Sequence, residues 1–306
     1  MTAAVFVDAN EALAVITERL IKPGDPPIII HRDPDVKPEA LPEVLHGAAI
    51  AIVDHTYVPT DVAKQCTGLK HVVFLGTGPR SYMNVEELAE LGITVHIIKG
   101  YGDTAVAESA IALMWASARN IALMDREMRN GEWVREEGMQ LTGKTLGLIG
   151  YGGIGAEVAR IAAGGGMKVL GWNRTPKTSP HVTFVPIEQL LAESDVVSMN
   201  LTLNDETRGF LSRERIAAMK PGVLFINTAR AALTDEDALC DALESGHIRH
   251  AGLDVFNIEP LPADHRLTKI RNVTLSAHSA FRTPEASDNL IAAALVHCRR
   301  IVKEGK

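Results

Sequence analysis

Three residues with the chemistry to transform a substrate, Arg230, Glu259 and His278, each stand just past a short apolar run. Arg230 follows the run at 222–226 through Asn227, Thr228 and Ala229; Asp254 and Glu259 lie at and past the end of the run at 249–255; His278 follows the run at 272–276. Reducing a 2-oxoacid needs a hydride at the carbonyl carbon and a proton at its oxygen. Histidine exchanges protons near neutrality, and a neighbouring carboxylate such as Glu259 would stabilise its imidazolium and orient the ring. An arginine offers a planar fork to the substrate carboxylate and can polarise the carbonyl. Singly, each residue has an ordinary explanation: a structural ion pair, a loop carboxylate, a packed histidine. In open parallel sheets, however, ligands bind at the carboxyl ends of the strands, where the three would converge on a nicotinamide ring.

A loop that could hold such a cofactor lies upstream. Gly150-Tyr151-Gly152-Gly153-Ile154-Gly155 separates a strand-like run at 144–149 from helix formers at 156–163, and Gly164, Gly165 and Gly166 close the helix. In this setting the first glycine permits a tight turn and the second lets the backbone approach a pyrophosphate. The third lets helix pack on strand. The phosphates would rest on amide groups at the positive end of the helix. A glycine pattern alone is weak evidence; strand before and helix after make it a dinucleotide site. An NAD site usually has an acid closing the second strand, for the ribose hydroxyls. Here, 18 residues after Gly155, that position is Asn173, followed by Arg174 and Thr175. Without the carboxylate a 2′-phosphate is not repelled, and Arg174 can bind it. NADP is therefore expected ahead of NAD, with NAD still open through a neutral Asn173.

These residues need a sheet to position them. The alternation predicts strands at 3–8, 27–32, 48–54, 71–76 and 93–98, with helices at 11–21, 39–46, 61–65 and 85–91: an open α/β domain with a parallel sheet. One long helical stretch, buried or at an interface, is expected over 105–129. A second series has strands near 145–150, 167–172, 182–185, 195–201, 222–226, 249–255 and 272–276, then a helix at 284–303, which fits a doubly wound Rossmann-type fold. A nucleotide unit beginning mid-chain and followed by a last helix implies one domain inserted in another, with 1–99 and 282–306 as the substrate domain and 100–281 as the nucleotide domain.

Bulk properties agree with an ordinary soluble globular protein. A chain of 306 residues exceeds one typical core. A composition of 46% hydrophobic and 23% charged residues with net charge −7 argues against a nucleic-acid surface. No segment is long and apolar enough for a bilayer, and the N-terminus lacks a signal pattern, so a cytoplasmic location is expected. Cys66, Cys240 and Cys298 are scattered and imply neither a disulfide framework nor a metal site.

The sequence resembles the D-isomer-specific 2-hydroxyacid dehydrogenases over nearly its whole length. Asn227-Thr228-Ala229-Arg230 followed by Asp235-Glu236-Asp237-Ala238-Leu239 is similar to that family's arginine motif. Gly252-Leu253-Asp254-Val255-Phe256 with Glu259-Pro260-Leu261-Pro262 is similar to its glutamate motif, and Ser276-Ala277-His278-Ser279-Ala280 to its histidine motif. The resemblance implies that Arg230, Glu259 and His278 are catalytic and that Asp254 holds the nicotinamide carboxamide. It also implies cofactor contacts from Thr104 and Val106, in Thr104-Ala105-Val106-Ala107-Glu108, and from Thr202, Thr207, Thr228, Ala229 and Ala280. Leu75-Gly76-Thr77-Gly78 resembles the loop whose amides receive the substrate carboxylate, so Thr77 and Gly78 join Arg230 and His278 as substrate contacts. The implied substrate domain is flavodoxin-like, and the implied assembly is a homodimer through the nucleotide domain.

The chain departs from the family pattern at Ala231, where glycine is usual, at Ala277, where proline is usual, and at Thr202, where proline is common. Gly78-Pro79-Arg80-Ser81-Tyr82 lacks the usual Gly-x-Asp, so Arg80 and Tyr82 either shape an unusual pocket or decorate the loop. The leading reading is an NADP-preferring reductase of a small 2-oxoacid such as glyoxylate or hydroxypyruvate. The alternatives are an NAD-dependent 2-hydroxyacid dehydrogenase and a non-catalytic, cofactor-sensing interaction protein of the corepressor type.

Overall fold

Short runs of Val, Ile, Leu and Ala between glycine-bearing turns form strands of two parallel sheets in the computed structural model, which describes residues 3–304. Met1, Thr2, Gly305 and Lys306, the outer ends of the expected substrate domain, lie outside the described residues. In chain order the first elements are β1 (Ala3–Phe6), α1 (Glu11–Leu20), β2 (Ile28–Ile30), α2 (Leu41–Val44), β3 (Ala48–Val53), α3 (Thr60–Ala63), β4 (His71–Phe74), α4 (Val85–Glu90) and β5 (Thr94–Ile97). Next come α5 (Asp103–Ala118), α6 (Ile121–Arg129), β6 (Thr145–Ile149), α7 (Gly153–Gly164), β7 (Lys168–Trp172), β8 (Thr183–Phe184), α8 (Ile187–Glu193) and β9 (Val196–Met199). The last are α9 (Arg213–Ala217), β10 (Val223–Asn227), α10 (Glu236–Glu244), β11 (Ile248–Leu253), α11 (Arg266–Lys269), β12 (Val273–Leu275) and α12 (Pro284–Glu304). The chain divides into two compact units, Met1–Gly102 with Arg282–Lys306, and Asp103–Phe281.

The first unit has strand order β2-β1-β3-β4-β5, all parallel, which is the flavodoxin-like order. Its sheet is buried on both faces, so its strands read as continuous apolar runs rather than alternating ones. One face packs Val5, Ala51, Val53, Val72 and Phe74 with Leu41, Val62 and Leu88; the other packs Phe6, Ile50, Ile52 and Val73 with α1 and α12. On α12, Leu290, Ile291, Ala294, Leu295, Cys298 and Ile301 recur at helical spacing on the buried side.

The second unit has order β12-β11-β10-β9-β6-β7-β8, also parallel, which is the Rossmann order with the order of strands reversing between β6 and β9. α5 and α7 cover one face through Ala107, Ala110, Leu113, Met114, Val158, Ala159 and Ala162. α8, α9, α10 and α11 cover the other, around Phe225, Val197 and Leu253. Cys66, Cys240 and Cys298 are all buried free thiols. Among the described residues no helix is long and apolar enough to cross a membrane.

The stretch expected as one long helix over 105–129 is two helices. Asn120 adopts left-handed backbone (φ 52°, ψ 34°) between α5 and α6, and its Nδ2 donates to the Glu137 carbonyl at 3.2 Å. Asparagine is one of the few residues besides glycine that enters this region readily, which ends α5 there. The two helices also differ in kind: α5 is apolar around much of its surface, whereas α6 buries only Leu123.

Candidate active site

The glycine loop sits where β6 ends, at the reversal of strand order, the position at which open α/β sheets bind ligands. Gly150 has φ +99°, and a Cβ there would meet the Asn200 carbonyl oxygen at 2.7 Å. A Cβ at Gly155 would meet the Gly150 carbonyl oxygen at 2.5 Å, so only glycine lets α7 lie this close to the end of β6. Gly152 differs: a Cβ there would meet nothing within 4 Å. Gly152 is also the N-cap of α7, and no side chain caps that helix. An open backbone face at an uncapped helix N-terminus fits a pyrophosphate, which accepts from the first-turn amides. Gly153 shows no separate role in the sequence. The structure supplies one, because the Asp103 carboxylate packs where its Cβ would go, at 1.7 Å. Burial, and then the neighbouring Glu157 charge, raise the Asp103 carboxyl above its ordinary value.

At the end of β7 both ends of the Asn173 amide are engaged. Its Oδ1 accepts from the Tyr151 amide at 3.0 Å, which ties the glycine loop to β7, and its Nδ2 donates to the Thr175 carbonyl at 2.7 Å. Arg174 is exposed and forms an ion pair with Glu206, from the loop after β9. In that loop the Thr207 hydroxyl donates to the Thr202 carbonyl at 2.7 Å, so it serves the loop's own shape. Thr104 lies exposed in the first turn of α5, while Val106 is buried.

The reactive side chains come from β10, β11 and β12, three neighbouring parallel strands whose carboxyl ends therefore share one edge of the sheet. His278 follows β12 with φ +48°, an uncommon conformation for a residue with a Cβ. Asp254 holds it there. It is fully buried, its carbonyl accepts from the His278 amide at 2.8 Å, and its Oδ1 and Oδ2 accept from the Ser279 and Ala280 amides at 3.0 Å each. The observed work of the Asp254 carboxylate is thus to fix the histidine turn.

The His278 ring meets Glu259 at 2.7 Å between Nδ1 and Oε2. An ionised carboxylate can only accept, so Nδ1 carries the proton and Nε2 is left for a ligand. The other oxygen of Glu259, Oε1, accepts from the Phe256 amide at 2.9 Å, which fixes the carboxylate. Arg230, three residues past β10, is exposed, and its Nη1 donates to the Ala229 carbonyl at 2.6 Å. Asn227, which sequence reasoning passed over, builds this turn: Oδ1 accepts from the Ala229 amide at 2.9 Å and Nδ2 donates to the Arg230 carbonyl at 3.0 Å. Thr228 is buried beside it.

In the first unit, Leu75 to Gly78 follow β4, and the Leu75 amide donates to the Val53 carbonyl at 2.8 Å. Arg80 forms an ion pair with Glu86 in the first turn of α4. Tyr82 packs on Phe74 with ring centroids 5.4 Å apart, so its ring belongs to the core of that unit.

Comparison with known proteins agrees with this architecture. Residues 111–280 match the family model described as "D-isomer specific 2-hydroxyacid dehydrogenase, NAD binding domain". The chain is 37% identical over 262 residues to a hydroxypyruvate reductase of Thermotoga maritima, covering 84% of each chain. It is 37% identical over 228 residues to a glyoxylate reductase of Korarchaeum cryptofilum, covering 69% of each. Among solved structures, an acyclic imino acid reductase in complex with NADPH and D-Arg superposes with a TM-score of 0.83 at 28% identity, covering 100% of this chain and 98% of that one.

Proposed function

The chain belongs to the D-isomer-specific 2-hydroxyacid dehydrogenases, NAD(P)-dependent oxidoreductases of 2-hydroxyacids, and we propose that it is an NADP(H)-preferring reductase of a small 2-oxoacid such as glyoxylate or hydroxypyruvate. The observation that carries the proposal is the 2.7 Å bond between His278 Nδ1 and Glu259, which leaves Nε2 free at the edge where the strands end, to carry the transferable proton when the ring is imidazolium. The relatives named for hydroxypyruvate and glyoxylate reduction support the substrate class.

The amides opening α7, with Gly152 at their head, would hold the pyrophosphate, while Asn173, Arg174 and Thr175 would meet the adenosine ribose. The nicotinamide, when bound, supplies the hydride that reaches the carbonyl carbon. His278 Nε2 gives its proton to the carbonyl oxygen, and Glu259 stabilises the charge on the imidazole and keeps its orientation. Arg230 presents its guanidinium to the substrate carboxylate, with one nitrogen already anchored on the Ala229 carbonyl. Asp254 acts chiefly by positioning. Each of its oxygens accepts one backbone N–H, and the side chain is fully buried. Thr77 and Gly78, in the loop after β4, are proposed substrate contacts through their amides. A homodimer through the second unit is part of the same reading, since Ile121, Met128 and Trp133 expose apolar surface there.

Cofactor oxidation followed by absorbance over a panel of 2-oxoacids tests this. The expected result is turnover of glyoxylate or hydroxypyruvate with higher kcat/KM for NADPH than for NADH. His278→Gln should lower kcat by about 10²- to 10⁴-fold while leaving cofactor affinity intact. No turnover of any small 2-oxoacid with either cofactor would overturn the reading.

A further inference from the structure

The strands on either side of β6 each send a loop past the glycine turn, and the two loops are joined by one ion pair, Arg174 with Glu206. Glu206 is held in place by a locked turn. Asn204 Oδ1 accepts from the amides of Glu206 and Thr207 at 3.0 Å each. The Asn204 amide donates to Thr207 Oγ1 at 2.8 Å, and that hydroxyl donates onward to the Thr202 carbonyl at 2.7 Å. Across from it, Asn173 has both halves of its amide engaged by Tyr151 and Thr175. The strand end that usually offers an acid to the adenosine ribose thus has none to offer. The carboxylate paired with the Arg174 guanidinium belongs to Glu206 instead, in the loop after β9.

We propose that Glu206 is a specificity-determining residue for the cofactor, competing with the 2′-phosphate of NADP(H) for Arg174 and so limiting how far the enzyme favours NADP(H) over NAD(H). This rests on the assignment of Arg174 to the 2′-phosphate made above. A phosphate that takes the guanidinium must separate it from Glu206 and then lie near that like charge. NAD(H), with no phosphate there, leaves the pair in place. Both side chains are exposed, at 73% and 72%, so the competition is modest and weakens with salt.

Calorimetric binding of 2′-phospho-ADP-ribose and ADP-ribose to the full-length protein reads this without turnover. Four forms are compared: wild type, Glu206→Gln, Arg174→Ala and the double variant. Glu206→Gln is expected to tighten 2′-phospho-ADP-ribose by about 3- to 5-fold at low salt, less at high salt, and to leave ADP-ribose unchanged. The gain should disappear in the Arg174→Ala background, where there is nothing to compete for. If Arg174→Ala weakens the phosphorylated probe but Glu206→Gln does not tighten it, or tightens both probes alike, the proposal for Glu206 is wrong and the assignment of Arg174 stands. If Arg174→Ala leaves the phosphorylated probe unaffected, that assignment fails and the competition fails with it.

Discussion

At the level of single residues, the candidate site depends on side chains that hold backbone. Asp254 is the clearest case, because its carboxylate accepts from two consecutive amides and its carbonyl from a third, which keeps His278 in left-handed backbone. Asp254→Asn would turn one oxygen into an NH2 facing a backbone N–H. A buried donor without an acceptor costs about 1–3 kcal/mol, and the His278 turn would relax. The expected outcome is a kcat loss of about 10-fold or more with a lowered urea midpoint, the loss falling on kcat more than on the cofactor Kd. Wild-type kcat in this variant would show that the turn does not need the clamp. Arg230, Glu259 and His278 were legible in the sequence because each pairs a reactive side chain with the end of an apolar run. The clamp from Asp254, the turn built by Asn227 and the internal use of the Thr207 hydroxyl were not legible. They are side-chain bonds to particular backbone atoms, and residue type alone does not say which donor or acceptor comes within reach.

At the level of elements, the glycine loop separates folding from binding. Gly155 is needed for packing, since an added Cβ would meet backbone oxygen at 2.5 Å, whereas an added Cβ at Gly152 would meet no protein atom within 4 Å. Gly152→Ala should therefore keep the wild-type urea midpoint, apart from a small backbone effect, and lose at least about 10-fold in affinity for ADP-ribose, because the methyl stands where the phosphates approach. Gly155→Ala should lower the midpoint itself, by the about 1–3 kcal/mol typical of overpacking. Equal effects of the two substitutions on stability would contradict this division. Strand against helix was legible from apolar runs and glycine stops, and the twelve strands among the described residues fall within or close to the expected runs. The break between α5 and α6 was not legible, because Arg119 and Asn120 interrupt no apolar pattern that the surrounding Ala, Leu and Met do not resume. What ends α5 is one left-handed residue whose amide is held by Glu137, a partner 17 positions away.

For the whole molecule, the two units share a sensitivity to acid for the same physical reason. His250, on β11, is 1% exposed, and burial, then the charges of Arg249 and Arg126, push its pKa down to about 4. His96, on β5, is pushed to about 4 by partial burial, then by His71, His297 and Arg300, with Glu304 opposing. A histidine whose folded value lies below the unfolded value of about 6.5 binds its proton more readily in the unfolded chain. Its contribution to stability is therefore complete above pH of about 6.5 and is lost as pH falls toward 4. For buried His250 the loss between pH 7 and pH 5 comes to about 2 kcal/mol; His96, only partly buried, is screened by solvent and adds less. The two contributions can be read separately, because Trp115, Trp133 and Trp172 all lie in the second unit and the first unit contains no tryptophan. In urea unfolding followed by tryptophan fluorescence, His250→Gln, which keeps a partner for the Thr274 hydroxyl, should remove about 2 kcal/mol of the difference in stability between pH 7 and pH 5. His96→Gln should leave the fluorescence transition where it was and change only the transition seen by circular dichroism, to which both units contribute. An unchanged pH dependence in His250→Gln would mean that this histidine is not held neutral by its burial, and the acid sensitivity of the second unit would have to arise from its carboxylates instead.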